Sequence, residues 1–388
     1  MGGAAKPLTP QPVTGGTDEF SCVANVTDDD YRAVAMTSRN LHRPTARLLS
    51  AAVSAVLLAT TGLAAGSAPG AATAARARSP HHPHYLRVAT WNVGGILTDG
   101  TGRSHARWKS RRNVVVRQLL AQSPVRQRSR AADVIALQEA NSEKKLRSGR
   151  TQYTDLVHLL NVRATGHDRY RALSKTLRSK ATRITYNAHT VRLLKAGVVR
   201  WRAQERKADG PRLMAWARFK HRSTGKRFFF ASVHLETASK RVRKKQWKQL
   251  LRVVPKLAHG LPVVVAGDFN STRNQKGNAA ERFLPKMKKA GFGDTLGQTS
   301  RGNLKVTHAR PHRLTRANFN SVNFYHRRLG HSWNKKYVGQ DVDYIFASNR
   351  LKVRGWALVA DLAPGGKKLE GVIPSDHNLI RANLVIKR

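Results

Sequence analysis

The sequence predicts an α/β or α+β fold. Short apolar runs that end on a polar residue recur from about residue 84 to the C-terminus. Two amphipathic helical stretches lie among them, and a meander of strands stands between the helices, without the regular spacing of a parallel βαβ sheet.

Taken in order, 86–92 (LRVATWN) is a strand ending in the amide of Asn92. Residues 107–120 (RWKSRRNVVVRQLL) form an amphipathic helix with Val115, Leu119 and Leu120 inward, and 121–130 is a basic loop around Pro124. Residues 133–139 (DVIALQE) are a strand ending in the carboxylate of Glu139. Strands at 183–186, 191–200 and 213–219 form the meander, and Ser223 to Gly225 turn it into 226–235, which carries His234 near its end. Residues 240–258 form the second helix, with Val242, Trp247, Leu250, Leu251, Val254 and Leu257 on one side; Pro255 is expected to kink or end it. The apolar strand 261–266 runs straight into Gly267, Asp268, Phe269 and Asn270. Residues 294–340 have little periodicity and many Asn, Arg and His, which predicts an irregular excursion. The segment VDYIFAS at 342–348 follows, and Ser375, Asp376 and His377 precede a last strand at 379–386.

Polar groups at successive strand ends are how a rigid sheet assembles a reactive site. Residues i and i+2 of an extended chain project to one side, so Asp268 could orient or deprotonate a water while Asn270 donates to a phosphoryl oxygen. A short apolar strand followed by Gly-Asp is common in α/β proteins, so this pair alone decides little.

Six segments together carry more. TWN at 90–92, LQE at 137–139, SVHL at 232–235, GDFN at 267–270, VDYIFAS at 342–348 and SDH at 375–377 resemble, in order, the motifs of the endonuclease/exonuclease/phosphatase superfamily. That group includes deoxyribonuclease I, exonuclease III, neutral sphingomyelinases and inositol polyphosphate phosphatases. The resemblance spans 84–388 and implies a four-layer sandwich of two mixed β-sheets flanked by helices, deoxyribonuclease I-like. It also implies roles: Glu139 as principal metal ligand with Asn92 beside it, and Asp376 as a metal-linked aspartate. His377 would be the general base or phosphate contact oriented by Asp343, with Asp341 as a competing partner. His234 would be an acid or phosphate donor, its own carboxylate partner open between Glu143 and Glu236, and Arg212 aligns weakly with a phosphate-contacting region. Phosphodiester hydrolysis needs a cation on the phosphate, an oriented water and help for the leaving oxygen. Oxygen ligands favour a hard ion, Mg²⁺ first, with Mn²⁺ or Ca²⁺ as alternatives. Capping by Glu139 or a turn role for Asn92 is the structural alternative.

Departures narrow the resemblance. Gly94 stands where repair endonucleases carry an Asp or Asn, so a second strong cation site is not expected. His234 stands where apurinic-site endonucleases have tyrosine, which argues against abasic-site repair. Ser232 replaces a frequent Asn. His308, His312, His326 and His331 lack carboxylate partners and make a poor zinc set. Trp333 and Tyr337, beside Lys335 and Lys336, could contact a sugar or base or could pack the loop.

Residues 1–35 read as a disordered leader or a mis-assigned start, and 36–83 as a secretory signal and linker. Arg39, Arg43 and Arg47 form the positive region, 48–65 the apolar one, and Ala72 to Ala74 an A-x-A cleavage site; a membrane anchor is the alternative. Export would leave a secreted, monomeric enzyme at 84–388 with no stable membrane association. The single cysteine, Cys22, precedes the signal, so the mature part has no disulfide or thiolate chemistry.

The net charge is +49, and removing residues 1–83, with 7 basic and 5 acidic side chains, leaves +47. Such a surface favours a polyanion, nucleic acid foremost, over a generic role in solubility or wall adhesion. The sequence therefore predicts a secreted, metal-dependent nuclease with little sequence preference. A phosphatase or sphingomyelinase-type diesterase is the alternative, disfavoured because no apolar or aromatic hairpin for lipid is evident. A non-enzymatic polyanion binder is the third reading.

Overall fold

The computed structural model describes residues 85–96, 106–121, 131–141, 143–173, 181–205, 211–272, 283–297, 313–330 and 341–387. The leader, the signal and its cleavage site, and His308, His312, His331, Trp333 and Tyr337 lie outside these residues.

In chain order the elements are β1 (Leu86–Asn92), α1 (Trp108–Leu120), β2 (Val134–Gln138), α2 (Gln152–Arg163), β3 (Tyr170–Ala172), β4 (Arg183–Asn187), β5 (Val191–Arg200), β6 (Leu213–His221) and β7 (Arg227–His234). Then follow α3 (Lys240–Ala258), β8 (Val263–Asp268), α4 (Phe283–Lys289), β9 (Phe292–Asp294), β10 (Arg313–Thr315), β11 (Asp343–Ser348), β12 (Leu351–Val359) and β13 (Leu379–Ile386). They make a seven-stranded sheet, β10-β12-β13-β1-β2-β4-β3, and a six-stranded sheet, β5-β6-β7-β8-β11-β9. Both are mixed: β1 and β2 are parallel, as are β7 and β8, whereas β1 with β13 and β8 with β11 are antiparallel.

Three apolar layers explain the stacking. Val88, Ala136, Phe228, Phe230, Val264 and Ile345 fill the space between the sheets. Trp91, Val115, Leu119, Leu137 and Leu156 join the seven-stranded sheet to α1 and α2. Trp247, Leu250 and Val254 of α3 pack on Phe229, Val265 and Phe346 of the six-stranded sheet. The central strands are buried on both faces, which is why they read as continuous apolar runs and not as alternation. The four-layer sandwich is thus formed.

Three expectations need correction. The α3 helix runs through Pro255 to Ala258, because Val254 and Ala258 continue its buried face and only three residues follow the proline. Leu120 packs on the layer beneath α1 but is only partly buried, and Val116 and Arg111 join Val115 and Leu119 as the buried residues of the helix's inner face. The described part of 294–340 is more ordered than its composition implies. It includes β10, and Asn323 N–H donates to Asp376 O (2.6 Å) while Asn378 N–H donates to Ser321 O (2.7 Å).

Candidate active site

Register builds one half of the site. His234, the last residue of β7, is paired with Asp268, the last of β8, and Asp268 is paired with Asp343, the first of β11. Three polar side chains therefore stand on neighbouring strands at one sheet end. Gly267 permits this approach: with φ at +153°, a Cβ there would lie 2.1 Å from Val233 O. His234 Nε2 is 3.5 Å from Asp268 Oδ2, and His377 Nε2 is 3.8 Å from the same oxygen. His377 Nδ1 is 2.8 Å from Asp343 Oδ2. Asp343, not Asp341, is the partner of His377, and Asp268 stands where a partner for His234 was sought. Glu236 instead accepts from Thr237 N–H and Ala238 N–H, and Glu143 is exposed.

The second half comes from loops after β1 and β2. Asn92 ends β1, and its Nδ2 donates to Glu139 Oε1 (3.0 Å) and to Asp268 Oδ2 (3.2 Å), bridging the two sheets. Glu139, just past β2, takes a left-handed φ of 56°. Its Oε2 accepts from Gly95 N–H at 3.0 Å. Asn92 Oδ1, the atom that would ligate a cation, accepts from Gly94 N–H (3.1 Å); a half-turn of the amide would exchange the two ends. Deeper between the sheets, Gln138 Nε2 donates to Ser232 Oγ (3.2 Å), so the serine in the SVHL segment serves as a cross-sheet contact.

Two expected residues sit differently. Asn270 follows the end of β8 with φ 48°, so it is not on an extended chain with Asp268; its Nδ2 donates to Leu235 O and its N–H to Asp268 Oδ1. The Asp376 side chain is half-buried, with Oδ1 accepting from Ser375 Oγ at 3.2 Å, and no described hydrogen bond joins it to Glu139 or Asn92.

Electrostatics divide the two imidazoles. Burial, the Arg212 guanidinium and His377 hold the His234 ring well below its ordinary value, so it is neutral. Arg212 Nη1 lies 2.8 Å from its ring nitrogens. Burial would also lower His377, but the Asp343 carboxylate, by charge and hydrogen bond, with Asp268 and Asp376, carries it well above. Burial and the neighbouring Asp343 push Asp268 up to about 7, against the lowering effects of His377, Asn270 N–H and the Asn92 amide. Buried carboxylates without enough counter-charge fit a cation. Asp268, Asp343 and His377 present ligand atoms within 4.8 Å of one another, a group that could hold a metal ion only with the His377 ring deprotonated, and one different from the expected Asn92, Glu139 and Asp376.

Sequence reasoning misses Arg111 and Gln152, both fully buried. Arg111 donates to Val93 O, to Pro374 O (3.0 Å) and, through Nη2, to Gly94 O (2.8 Å). Gln152 Nε2 donates to the same Gly94 O (2.7 Å), and its Oε1 accepts from Ile96 N–H and Asn141 N–H. The Gly94–Gly95 peptide whose N–H reaches Glu139 is therefore gripped at its oxygen. A usable signal was present for Arg111, because 111, 115 and 119 share one helix face.

The endonuclease/exonuclease/phosphatase family model matches residues 89–377, and the chain belongs to that family. Its members are phosphoester hydrolases, typically dependent on a divalent metal, and the chain is a phosphoester hydrolase of this class. A family protein of Bacteroides thetaiotaomicron shares the fold with a TM-score of 0.55 at 19% identity, over 79% of this chain and 99% of that one. One from Bacteroides vulgatus gives 0.54 at 19%, over 78% and 100%. A mannosyl-6-phosphatase of Bacteroides thetaiotaomicron gives 0.51 at 18%, over 77% and 99%. No curated protein sequence gives a significant match.

Proposed function

We propose that this hydrolase is a secreted nuclease that cleaves nucleic-acid phosphodiesters with little sequence preference. The observation that carries the choice of substrate is the charge of +49, with exposed cations on a helix that starts beside the site. Contacts to backbone phosphates hold a nucleic acid without reading its sequence. Export is supported by the signal pattern from Met36 to Ala74.

Glu139 and Asn92 would hold Mg²⁺, with Asp268 close by, and Asp376 is left outside that set by its contacts. When bound, the ion supplies Lewis-acid polarisation of a phosphoryl oxygen. Asp268 orients the attacking water, accepting its proton; His234, neutral and beside Arg212, contacts the phosphate. His377, kept cationic by Asp343, donates a hydrogen bond to a phosphoryl oxygen and offsets charge that develops there.

One observation favours a second reading. Phe324 is 72% exposed, with φ 53°, and its N–H donates to Asp376 O (3.1 Å), so an exposed aromatic stands at the rim of the site beside the half-buried Tyr325. A sphingomyelinase-type diesterase could press it into lipid. The test is hydrolysis of plasmid DNA, RNA, sphingomyelin vesicles and a sugar phosphate by the purified protein, with and without chelator, beside Glu139→Ala. The expected result is metal-dependent cleavage of nucleic acid, abolished by chelator and by the substitution. Cleavage confined to sphingomyelin or the sugar phosphate overturns the nuclease reading; full activity in chelator overturns the metal.

A further inference from the structure

We propose that the exposed face of α3 is a track for a single-stranded nucleic acid extending from the active site. This rests on the reading above only for the choice of polymer. Lys240, Lys244, Lys248, Arg252 and Lys256 recur at every fourth position and are all exposed, with Arg241 and Lys245 exposed beside them. Each step of four residues rises about 6 Å along the helix. That is the order of the separation between successive phosphates on a stretched strand.

The stripe acts against the stability of its own helix. Like charges four residues apart repel, and Lys240 and Arg241 occupy the first turn, where the helix dipole disfavours cations. No acidic residue occurs anywhere in the nineteen. A face needed only for solubility would mix both signs. The burial of Trp247, Leu250 and Val254 keeps the helix folded despite that charge.

Position connects the stripe to the chemistry. The helix joins β7 to the parallel β8, so it starts at the strand ends that carry His234 and Asp268 and runs back along the outside of the sheet. Arg243 donates to Glu236 O and Thr237 O, both at 2.8 Å, and Arg212 Nη2 donates to Thr237 Oγ1 at 3.0 Å. The first turn is thereby fixed beside His234. Midway along, Arg202, Lys245, Lys248, Gln249 and Arg252 line a shallow depression of about 450 Å³, with room for a base or sugar beside the phosphates.

The test uses the full chain carrying Asp268→Asn to prevent cleavage, with and without Lys244→Glu/Lys248→Glu/Arg252→Glu. Binding to a twenty-nucleotide single strand and to its duplex is measured across a salt series. Hydrolysis of bis(p-nitrophenyl) phosphate is measured in protein that retains Asp268. The triple change should weaken single-strand binding about tenfold or more and lower the salt slope by about 2. Turnover of the small diester should stay unchanged, and Tm should hold, because the 240/244 and 252/256 pairs become opposite in charge while 244/248 and 248/252 stay alike. Unchanged binding, with wild-type protein still cleaving the oligonucleotide, would overturn the track and leave the nuclease reading intact. A larger loss on duplex than on single strand would overturn the single-strand assignment. Wild-type protein that neither binds nor cleaves nucleic acid would bring down the substrate reading and the track with it.

Discussion

The two halves of the site are held in different ways. On the six-stranded sheet, His234, Asp268 and Asp343 are fixed by strand register, and the only special requirement is the bare Gly267 backbone. On the seven-stranded sheet, Glu139 stands in a loop with a left-handed φ, and its carboxylate is aimed by an amide, a peptide N–H and, behind them, Arg111 and Gln152. In the first half, register does most of the placing and Asn92 adds one bond to Asp268; in the second, one polar network both aims and supports. Mutations should therefore separate activity from stability on one side and join them on the other.

The largest activity effect is expected at Asp268. Asp268→Ala should lower turnover by about three orders of magnitude, in the range of general acid–base removal. Its Tm should fall less than that of Arg111→Met, because register carries the strands and relief of the Asp268–Asp343 repulsion offsets the donors of Asn92 and Asn270 left unpaired. Steady-state assays beside thermal melts check this, and a large fall in Tm would erase the contrast between the halves.

Arg111→Met should be intermediate in activity and severe in stability. It takes the Arg111 donor from the carbonyls of Val93 and Pro374, while Gly94 O keeps Gln152 Nε2, and an unsatisfied buried group costs about 1–3 kcal/mol. Turnover of the folded fraction should fall about tenfold or more through misplaced Glu139, in the order expected for a misaimed group. Arg111→Lys should restore part of the stability and less of the activity, since one ammonium cannot span three acceptors in the same fork. Denaturant titration and kcat at saturating metal would separate the two.

The smallest change should come from Asp343→Asn. An amide keeps a hydrogen-bonding partner for His377 Nδ1 but removes its charge, so turnover should drop by about tenfold and not a thousandfold. A loss equal to that of Asp268→Ala would mean that Asp343 does more than orient.

Legibility in the sequence follows the same division. β1, β5, α3 and β13 lie where the apolar pattern puts them, because each is a long, uniformly patterned segment. α2 is signalled by the Thr151–Thr154 capping box, yet its polar residues blur the periodicity, and Asp155 is buried to accept from Trp108 Nε1. β12 is interrupted by a register shift between Val353 and Gly355. In the site, strand-end side chains can be read by their position on the chain. The closeness of Asp268 to His234 cannot, because it depends on which strands become neighbours. Arg111 and Gln152 act from helices through backbone carbonyls, and backbone acceptors leave no letter in a sequence.

Gly94 has φ +63°, and a Cβ there would meet Tyr325 Oη at 2.7 Å. Tyr325 itself has φ 61°, and its N–H donates to Asn323 Oδ1. One small volume is thus claimed by residues 231 positions apart, and only one of them can fill it. A side chain at the first position would have to displace the tyrosine hydroxyl, and the left-handed backbone there strains any Cβ besides. A change at the glycine thus carries two costs at once, the displaced hydroxyl and the resisted backbone, so an extra acidic ligand beside Asn92 would fit more readily with a smaller residue at 325.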